Sequence, residues 1–388
     1  MARIWRIGIV KDTSQPMLGL HGLHTAFRGL PNVEVVAQVD SNPQDLDRKL
    51  SYTQARRHYL TLEEMLATEA LDIVVLCSRH PDEHLEPIRA LAARGCHVYC
   101  EKPLSASLRE ADEMVELAAR QGIRIAVAHS ARYNLSFRTL RRMVAAGDIG
   151  QPLSIIGRGK CDHRGGGEDL MVLGTHILDL FAFIFGPPAR VMAEVTTAGR
   201  PLLAGDRCET IEPIGPAAGD ALGALFSFEA GVRGLFESRR GLAAPGSSVT
   251  PMGITVHGTA GSLCMRFGDI SDPGLQHSPH PGWLEDQAHY EPVPLVEERV
   301  IPGAEPLDYA LCGHPDIPRA RRFMDSNRFA VWDLMRAIEE AREPECSVAD
   351  ARLVQEMIQG IYASALSRSA VDFPLTDRRH PLGEDCRA

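Results

Sequence analysis

The chain has 388 residues, of which 44% are hydrophobic and 24% charged, and its formal net charge is −10. This length suits roughly two domains. The negative charge argues against a nucleic-acid surface, and no apolar run approaches the roughly 20 residues that a bilayer span needs. The nine cysteines show no zinc spacing, so no metal site is expected. The N-terminus leads straight into a strand, which predicts a cytoplasmic protein without a membrane partner.

The first 130 residues alternate between predicted strands and predicted helices. The strands cover 6–10, 33–39, 71–77, 97–100 and 125–129, and the helices between them include 17–30, 82–94 and 107–121. A further helix begins at Thr61, because Glu64 three residues later completes a capping box. This rhythm implies right-handed crossovers and therefore predicts an α/β fold with a doubly wound parallel sheet of the Rossmann type.

After about residue 150 the pattern changes to strands separated by turns. Strands are predicted at 153–160, 191–197, 221–228, 232–238, 253–257 and 262–267, with helices at 169–185, 319–341 and 349–368. This pattern predicts a second α/β domain with a large open, mostly antiparallel sheet. The expected domains are a dinucleotide-binding domain at 1–130, a substrate and oligomerisation domain at 131–345, and a C-terminal helix and tail at 346–388 that packs back on the first domain.

The turn after the first strand lacks the glycine-rich GxGxxG pattern of dinucleotide-binding folds. Gly8 lies in the strand, and Lys11, Thr13 and Ser14 follow it as hydrogen-bond donors for a pyrophosphate. Asp40 ends the second strand, where an acid accepts hydrogen bonds from the ribose hydroxyls. No arginine follows Asp40, which favours NAD over NADP. The alternative for Asp40 is a plain strand-ending turn.

Two further strand ends carry polar residues that would lie along the same crevice. Ser78, His80 and His84 follow the strand at 71–77, although His84 also fits an ordinary helix surface. Glu101 and Lys102 follow the strand at 97–100. A lysine at this position is partly desolvated and can lose its proton near neutral pH, which suits acid/base chemistry. The alternative for Lys102 is a solvated loop residue.

The chain resembles the glucose–fructose oxidoreductase / inositol dehydrogenase / MocA family over nearly its whole length. The resemblance is carried by EKP at 101–103, VAHSARYN at 127–134, GQPL at 150–153 and GTHILD at 174–179. It implies a Rossmann domain followed by an α/β domain with a large open sheet, a nicotinamide cofactor, and a sugar, polyol or related substrate. It also implies a homodimer or homotetramer built on that sheet, and a hydride-transfer site lined by Lys102 and His176.

One position departs from the family pattern. Many members carry an aspartate four residues before the histidine, where this chain has Val172. On one continuous α-helix, Asp169 shares a face with His176 and could replace the missing acid. Asp179 is expected to orient the imidazole. The alternative is that Glu168 and Asp169 only cap the helix.

The segment before this helix is rich in charge and glycine. Lys160, His163 and Arg164 suit an anionic group on the substrate, such as a carboxylate, sulfonate or phosphate. The run Gly165-Gly166-Gly167 would let the backbone approach a ligand closely. Its alternative is a flexible, solvated loop.

Three functions fit this framework. The first is an NAD-dependent dehydrogenase or reductase of a sugar or sugar acid, with Lys102, His176, Asp169 and Tyr133 as catalytic candidates. The second is a glycoside hydrolase that oxidises, eliminates, adds water and reduces again, including on anionic sulfosugar glycosides. It is supported by the altered motif before His176 and by the extra acid/base residues Asp162, His163, Glu168, Asp169 and Tyr133. The third is a non-catalytic NAD-binding sensor, supported only by the loss of the acid at Val172.

Overall fold

The structure, a computed structural model, describes residues 3–14, 21–244, 250–267, 274–281, 284–312 and 318–383. These residues belong to two compact units. The first comprises Met1–Ser105, Glu110–Tyr133 and Glu298–Ala351, and the second comprises Ala106–Arg109, Asn134–Glu297 and Arg352–Ala388. None of the described helices is long and apolar enough to cross a membrane.

The α-helices follow the predicted ones with some additions. They are α1 Leu46–Thr53, α2 Leu62–Thr68, α3 Leu85–Ala92, α4 Leu108–Gln121, α5 Leu135–Ala146, α6 Gly167–Asp169, α7 Thr175–Phe185, α8 Pro318–Glu339 and α9 Val348–Ser367. The capping box before α2 forms as predicted, since the Glu64 amide donates to Thr61 Oγ1 and the Thr61 amide donates to Glu64 Oε2. Helices α1 and α5 were not predicted.

The first unit contains a parallel sheet with the strand order β3-β2-β1-β4-β5-β6. Its strands are β1 Trp5–Val10, β2 Val33–Val39, β3 Arg57–Tyr59, β4 Ile73–Leu76, β5 His97–Cys100 and β6 Ile125–Val127. All four residues of β4 are fully buried aliphatic side chains, as expected for a strand that is covered on both faces. The order reverses between β1 and β4, so the predicted Rossmann sheet is confirmed.

The second unit contains a larger sheet in the order β17-β16-β15-β14-β7-β13-β12-β8-β18, with β9 paired to β8. The pair β7–β13 is parallel and the other described pairs are antiparallel, which confirms the predicted mostly antiparallel sheet. Its strands are β7 Pro152–Arg158, β8 Arg190–Thr197, β9 Arg200–Pro201, β12 Ala221–Ser227, β13 Arg233–Arg239, β14 Gly253–Gly258, β15 Ser262–Arg266, β16 Gln276–Ser278, β17 Glu291–Pro292 and β18 Val371–Asp372, while β10 Arg207–Cys208 and β11 Ala217–Ala218 form a separate pair.

Helix α7 packs closely on one face of this large sheet. A Cβ atom added at Gly157 of β7 would lie 2.3 Å from Ile177 and 2.8 Å from Phe181. Only glycine at this strand position lets the helix approach so closely. The site residues that α7 carries are therefore held against the middle of the sheet.

The limits of the two units differ from the expected domain boundaries in two places. Residues 298–351 belong to the first unit, because Ala330, Val331 and Leu334 of α8 share the hydrophobic core of the parallel sheet. The tail after α9 adds β18 to β8, and residues Arg352–Ala388 belong to the second unit. The sequence periodicity predicts α8 and α9 as helices, but it does not indicate which of the two sheets each helix covers.

Candidate cofactor and active site

Gly8 lies within β1 and is required by packing. A Cβ atom at this position would lie 2.9 Å from Leu71 Cδ1 and 3.1 Å from Met65 Cε. The glycine therefore lets α2 and the start of β4 pack on the strand. This contact gives Gly8 a supporting role beneath the predicted dinucleotide site.

The first described segment after the turn that follows β1 is a 3-10 segment, Leu23–Thr25. Of the helix predicted over 17–30, residues 17–20 lie outside the described part. For the remainder the prediction is wrong, because Gly22 and Gly29 adopt φ values of 71° and 70°, which an α-helix excludes. No helix N-terminus is therefore described next to the predicted pyrophosphate position.

Asp40 ends β2 as predicted, but its carboxylate is occupied by the protein itself. Oδ1 accepts the amides of Thr13 and Asn42, both at 3.0 Å. Oδ2 accepts the Thr13 hydroxyl at 2.8 Å and lies 2.9 Å from Lys49 Nζ. Burial alone would raise the pKa of Asp40, but the Thr13 and Lys49 hydrogen bonds hold it below its ordinary value.

Lys11 and Ser14, the other predicted donors of this turn, lie on either side of Thr13. The Lys11 amide donates to the Val39 carbonyl at 3.0 Å, and burial lowers the pKa of its ammonium group. Ser14 is exposed, and its amide donates to Asp12 Oδ1 at 2.8 Å. The structure thus brings Lys11, Thr13 and Asp40 together, while Ser14 faces outward.

The three predicted residues after β4 support one another. The His80 amide donates to Ser78 Oγ at 3.2 Å, and Ser78 Oγ donates to Glu83. The His84 ring is fully buried and bridges two backbone carbonyls, of Ser78 and Leu104, each at 2.9 Å. Since both ring nitrogens face protein acceptors, we assign His84 to holding these two loops together and not to the surface of α3.

Lys102 lies at the carboxyl end of β5, and its side chain is fully buried, so it is not a solvated loop residue. Glu101 Oε1 accepts the Lys102 amide at 2.9 Å and lies 2.9 Å from His21 Nδ1. Burial alone would raise the pKa of Glu101, but His21 and Lys102 hold it below its ordinary value. Burial lowers the pKa of His21, and the nearby Glu101 opposes this shift; a ring that carries its proton on Nδ1 donates it to Glu101.

His21 and Asn327 belong to this cluster, although sequence reasoning missed both. The Asn327 side chain donates to the His21 carbonyl at 2.5 Å and accepts the Tyr99 hydroxyl at 2.8 Å. The chain separates Asn327 from Tyr99 by 228 residues. No local spacing could have indicated these contacts, because they depend on α8 returning to the first sheet.

Tyr133 makes two hydrogen bonds within the first unit, one of them to α8. Its hydroxyl donates to Asp333 Oδ2 at 2.9 Å, and its carbonyl accepts Arg299 at 2.7 Å. Burial, together with the Asp333 charge, raises the pKa of Tyr133 well above its ordinary value. A buried phenol that holds its proton so strongly is a poor acid/base group near neutral pH.

Replacing Tyr133 with phenylalanine is therefore expected to lower stability and to spare catalysis. The lost hydrogen bond to a carboxylate is worth about 1.5–3 kcal/mol. Urea denaturation would measure the loss, and kcat/KM should stay at the wild-type value. A large drop in kcat/KM with unchanged stability would restore Tyr133 as a catalytic residue.

Asp169 lies at the end of α6, directly before a π-helical turn over Leu170–Gly174. An i→i+5 turn takes up one more residue than an α-helical turn, which rotates the preceding residues by about 100° around the axis. Asp169 and His176 therefore do not share a helix face, and the prediction that they do is wrong. Its cause is visible only in the backbone, since the sequence of this stretch fits a regular helix.

The Asp169 carboxylate points instead at the ends of β7 and β13. Its Oδ2 accepts the Ser238 hydroxyl at 2.6 Å and the Cys161 amide at 3.1 Å. Asp169 is fully buried, and burial raises the pKa of its carboxyl group. These contacts give Asp169 a supporting role, and neither it nor Glu168 caps the helix through a side-chain hydrogen bond.

His176 and Asp179 lie on the first turns of α7, and both are buried. The His176 ring centroid is 6.2 Å from that of Phe267. Val172 lies in the π-helical turn and is also buried. Within the second unit these residues contribute one buried imidazole and one buried carboxylate.

The charges predicted to bind an anion form a network among themselves. Arg164 donates from Nε and Nη2 to the two oxygens of Asp162, at 3.2 and 2.8 Å, and from Nη1 to Glu212. Lys160 Nζ lies 3.3 Å from Asp162 Oδ2, and His163, half exposed, lies 3.8 Å away. The guanidinium group that was expected to bind an anion therefore already has two buried acids of the protein as partners.

Glu168 and the glycine run fix the loops around this network. Glu168 Oε1 accepts the amides of Ile211 and Glu212, both at 3.0 Å. Cβ atoms at Gly165, Gly166 and Gly167 would lie 2.4, 2.5 and 2.1 Å from the backbones of Arg239, Gly219 and Ala218. The glycine run therefore packs directly against protein backbone, so it is neither a solvated loop nor open to a ligand.

Comparison with known proteins matches both parts of the chain. A model described as an oxidoreductase family with an NAD-binding Rossmann fold matches residues 19–129, and the GFO/IDH/MocA C-terminal domain matches residues 137–264. Among solved structures, a levoglucosan dehydrogenase in complex with NADH and levoglucosan superposes with a TM-score of 0.73 at 19% identity, covering 96% of this chain and 100% of that one.

Two curated relatives match shorter stretches. D-apiose dehydrogenase of Paraburkholderia graminis is 29% identical over 196 residues, which are 48% of this chain and 52% of the relative. D-glucoside 3-dehydrogenase of Escherichia coli is 31% identical over 139 residues, which are 33% of this chain and 39% of the relative. The chain thus spans about half or less of the length of these relatives.

Proposed function

Because the chain belongs to the GFO/IDH/MocA oxidoreductase family, we propose that it is an NAD-dependent dehydrogenase or reductase that acts on a hydroxyl group of a neutral carbohydrate. The observation that carries the proposal is the buried Lys102 at the carboxyl end of β5, with Glu101 and His21 beside it. A lysine side chain buried at a strand end of a Rossmann sheet is suited to proton exchange with a bound alcohol.

The first unit fits a dinucleotide at the point where its strand order reverses. Lys11 follows β1 and Asp40 follows β2, while Ser78 and Glu101 follow the ends of β4 and β5. Ligands of open α/β sheets bind outside these carboxyl ends. The backbone amides and side chains of this edge are the groups that would hold NAD, and NAD supplies the hydride acceptor when it is bound.

The proposed roles follow from the surroundings of each side chain. Lys102 Nζ holds the proton that is exchanged with the hydroxyl oxygen of the substrate. Glu101 keeps its negative charge and fixes the Lys102 backbone through its amide. In the second unit, His176 is the proposed substrate-binding imidazole, and Asp179 orients it.

A neutral substrate is favoured by the state of Arg164. Both of its acidic partners are buried, so an anionic sugar would have to break two buried ion pairs to reach the guanidinium group. The names of the relatives point to neutral substrates as well, since apiose and glucosides carry hydroxyl groups and no acid.

A paired assay tests the proposal. The purified protein would be incubated with NAD and a panel of neutral sugars, sugar acids and aryl glycosides, following NADH formation and aglycone release together. NADH formation without aglycone release is expected. Aglycone release without net NADH would establish the redox-cycling hydrolase instead, and silence in both channels with tight NAD binding would favour a sensor.

We also propose that the chain forms homo-oligomers through the open face of the large sheet. Met192 and Leu225 are cross-strand partners on β8 and β12, and they are 59% and 43% exposed. Exposed apolar pairs on a sheet face are typical of protein contacts. Met192→Asp is expected to yield monomers in light scattering, and an unchanged mass would contradict this assignment.

A further inference from the structure

The acid at the end of β2 has its own counter-ion in Lys49 of α1. Lys49 Nζ lies 2.9 Å from Asp40 Oδ2 and donates to the Asn42 carbonyl at 2.7 Å. Asp40 is fully buried, and the Lys49 side chain is only 17% exposed. The pair is therefore a built part of the strand end and not a loose surface contact.

The remaining contacts of Asp40 complete the hydrogen bonding of its carboxylate within the protein. Each carboxylate oxygen already has two donors: the amides of Thr13 and Asn42 on Oδ1, and the Thr13 hydroxyl and Lys49 on Oδ2. An acid at this position serves two purposes in Rossmann folds, since it accepts hydrogen bonds from the ribose of NAD and its charge disfavours the 2′-phosphate of NADP. Here neither purpose is served in full.

The neighbouring charges do not restore the negative field. Burial lowers the pKa of Lys11, and the charges of Asp40 and Lys49 act on this pKa in opposite directions. Asp12 is exposed and accepts hydrogen bonds from Ser14 and Ser41. Lys11 and Lys49 therefore both interact with the buried Asp40 carboxylate, while the Asp12 carboxylate lies outside this buried group and is hydrogen-bonded to serines.

We propose that Lys49 is a specificity-determining residue for the dinucleotide: by neutralising Asp40, it lets the site accept the 2′-phosphate of NADP as well as the 2′-hydroxyl of NAD. The inference rests on the proposed function, because it takes this strand end as the ribose site. It extends that function, since NADP was not expected from the residues directly after Asp40.

Calorimetric titration of the purified protein with NAD and with NADP tests the inference without measuring activity. For the wild type we expect the two dissociation constants to agree within about tenfold. In Lys49→Met, which keeps the length of the side chain but not its charge, NADP should weaken at least about tenfold relative to NAD. Lys49→Arg should behave like the wild type.

Arg48→Met is the matched control, because it removes one positive charge from the same helix and no contact to Asp40. Its NADP-to-NAD ratio should equal that of the wild type. Two results would overturn the proposed role of Lys49 and leave the proposed function standing. One is a wild type that binds NADP more than about a hundredfold more weakly than NAD, and the other is an NADP-to-NAD ratio that Lys49→Met leaves unchanged. If the wild type bound neither nucleotide, the proposed function would fail, and this inference with it. Should Lys49→Met not fold, the wild-type ratio and Lys49→Arg still decide.

Discussion

Replacing Lys102 with alanine is expected to lower kcat/KM by about 10²–10⁴-fold, the usual contribution of a positioned general acid/base. The physical reason is that Nζ is the proposed proton-exchanging atom, and the neighbouring Glu101 holds its charge too firmly to replace it. The rate would be measured with the best substrate of the sugar panel. Calorimetric titration should show that the variant still binds NAD.

Two further variants separate proton exchange from charge and volume. Lys102→Met keeps most of the buried volume and should be as inactive as the alanine variant. Lys102→Arg keeps the positive charge, but an arginine does not lose its proton near neutral pH. It should therefore also be inactive, and an arginine variant with nearly wild-type kcat/KM would show that Lys102 acts only as a fixed charge.

Replacing Arg164 with methionine is expected to cost about 3–5 kcal/mol of stability, as for other buried ion pairs that lose one partner. The change leaves Asp162 and Glu212, which are 3% and 6% exposed, without the guanidinium group that neutralises them. Urea denaturation would measure the loss. Lys160→Met is the matched control, since its ammonium is more exposed and lies at 3.3 Å, and it should cost less than about 1 kcal/mol. Equal losses would contradict the network.

The same network predicts a pH dependence. Burial alone would raise the pKa of Asp162, but Arg164 and Lys160 hold it well below its ordinary value. A carboxyl group with a depressed folded-state pKa contributes stability above its unfolded pKa of about 3.9, and loses it as the pH falls toward the folded value. Wild-type stability should therefore decline below about pH 4, and Arg164→Met should flatten this decline. An identical acid profile in both proteins would contradict the assignment.

The sequence predicted the parallel sheet well because its strands are short apolar runs with regular crossovers. The run that became β4 is aliphatic throughout, and it belongs to a sheet covered on both faces. The unit boundary was harder, because α8 has the same periodicity whichever sheet it covers. Its buried positions Ala330 and Leu334 join the first core only in the folded chain.

The position of a candidate residue was predictable where a strand end alone fixes it, as for Asp40 and Lys102. They were not predictable where a distant group decides their role. Lys49 lies on α1 and contacts Asp40, and no residue next to Asp40 in the sequence indicates this contact. Glu212 lies 48 positions from Arg164 in the sequence and contacts it in the folded chain. The guanidinium group therefore already has an acidic partner, which the residues around Arg164 do not indicate.

Asp169 illustrates a third limit. Its spacing from His176 satisfies helical periodicity, yet the π-helical turn over Leu170–Gly174 moves it to a different face. The glycine run at 165–167 was similarly open to two interpretations, and close contact with strand backbones excludes both. Backbone irregularities and close approaches depend on tertiary packing, which residue spacing does not encode.

The most direct test of the central claim is deuterium transfer from a sugar labelled at the carbinol carbon to NAD, followed by mass spectrometry of the recovered cofactor. Hydride transfer predicts deuterated NADH in an amount equal to the oxidised sugar, and neither product in Lys102→Ala. A sugar product formed while the label stays in the sugar or passes to water would contradict hydride transfer and the function proposed for this chain.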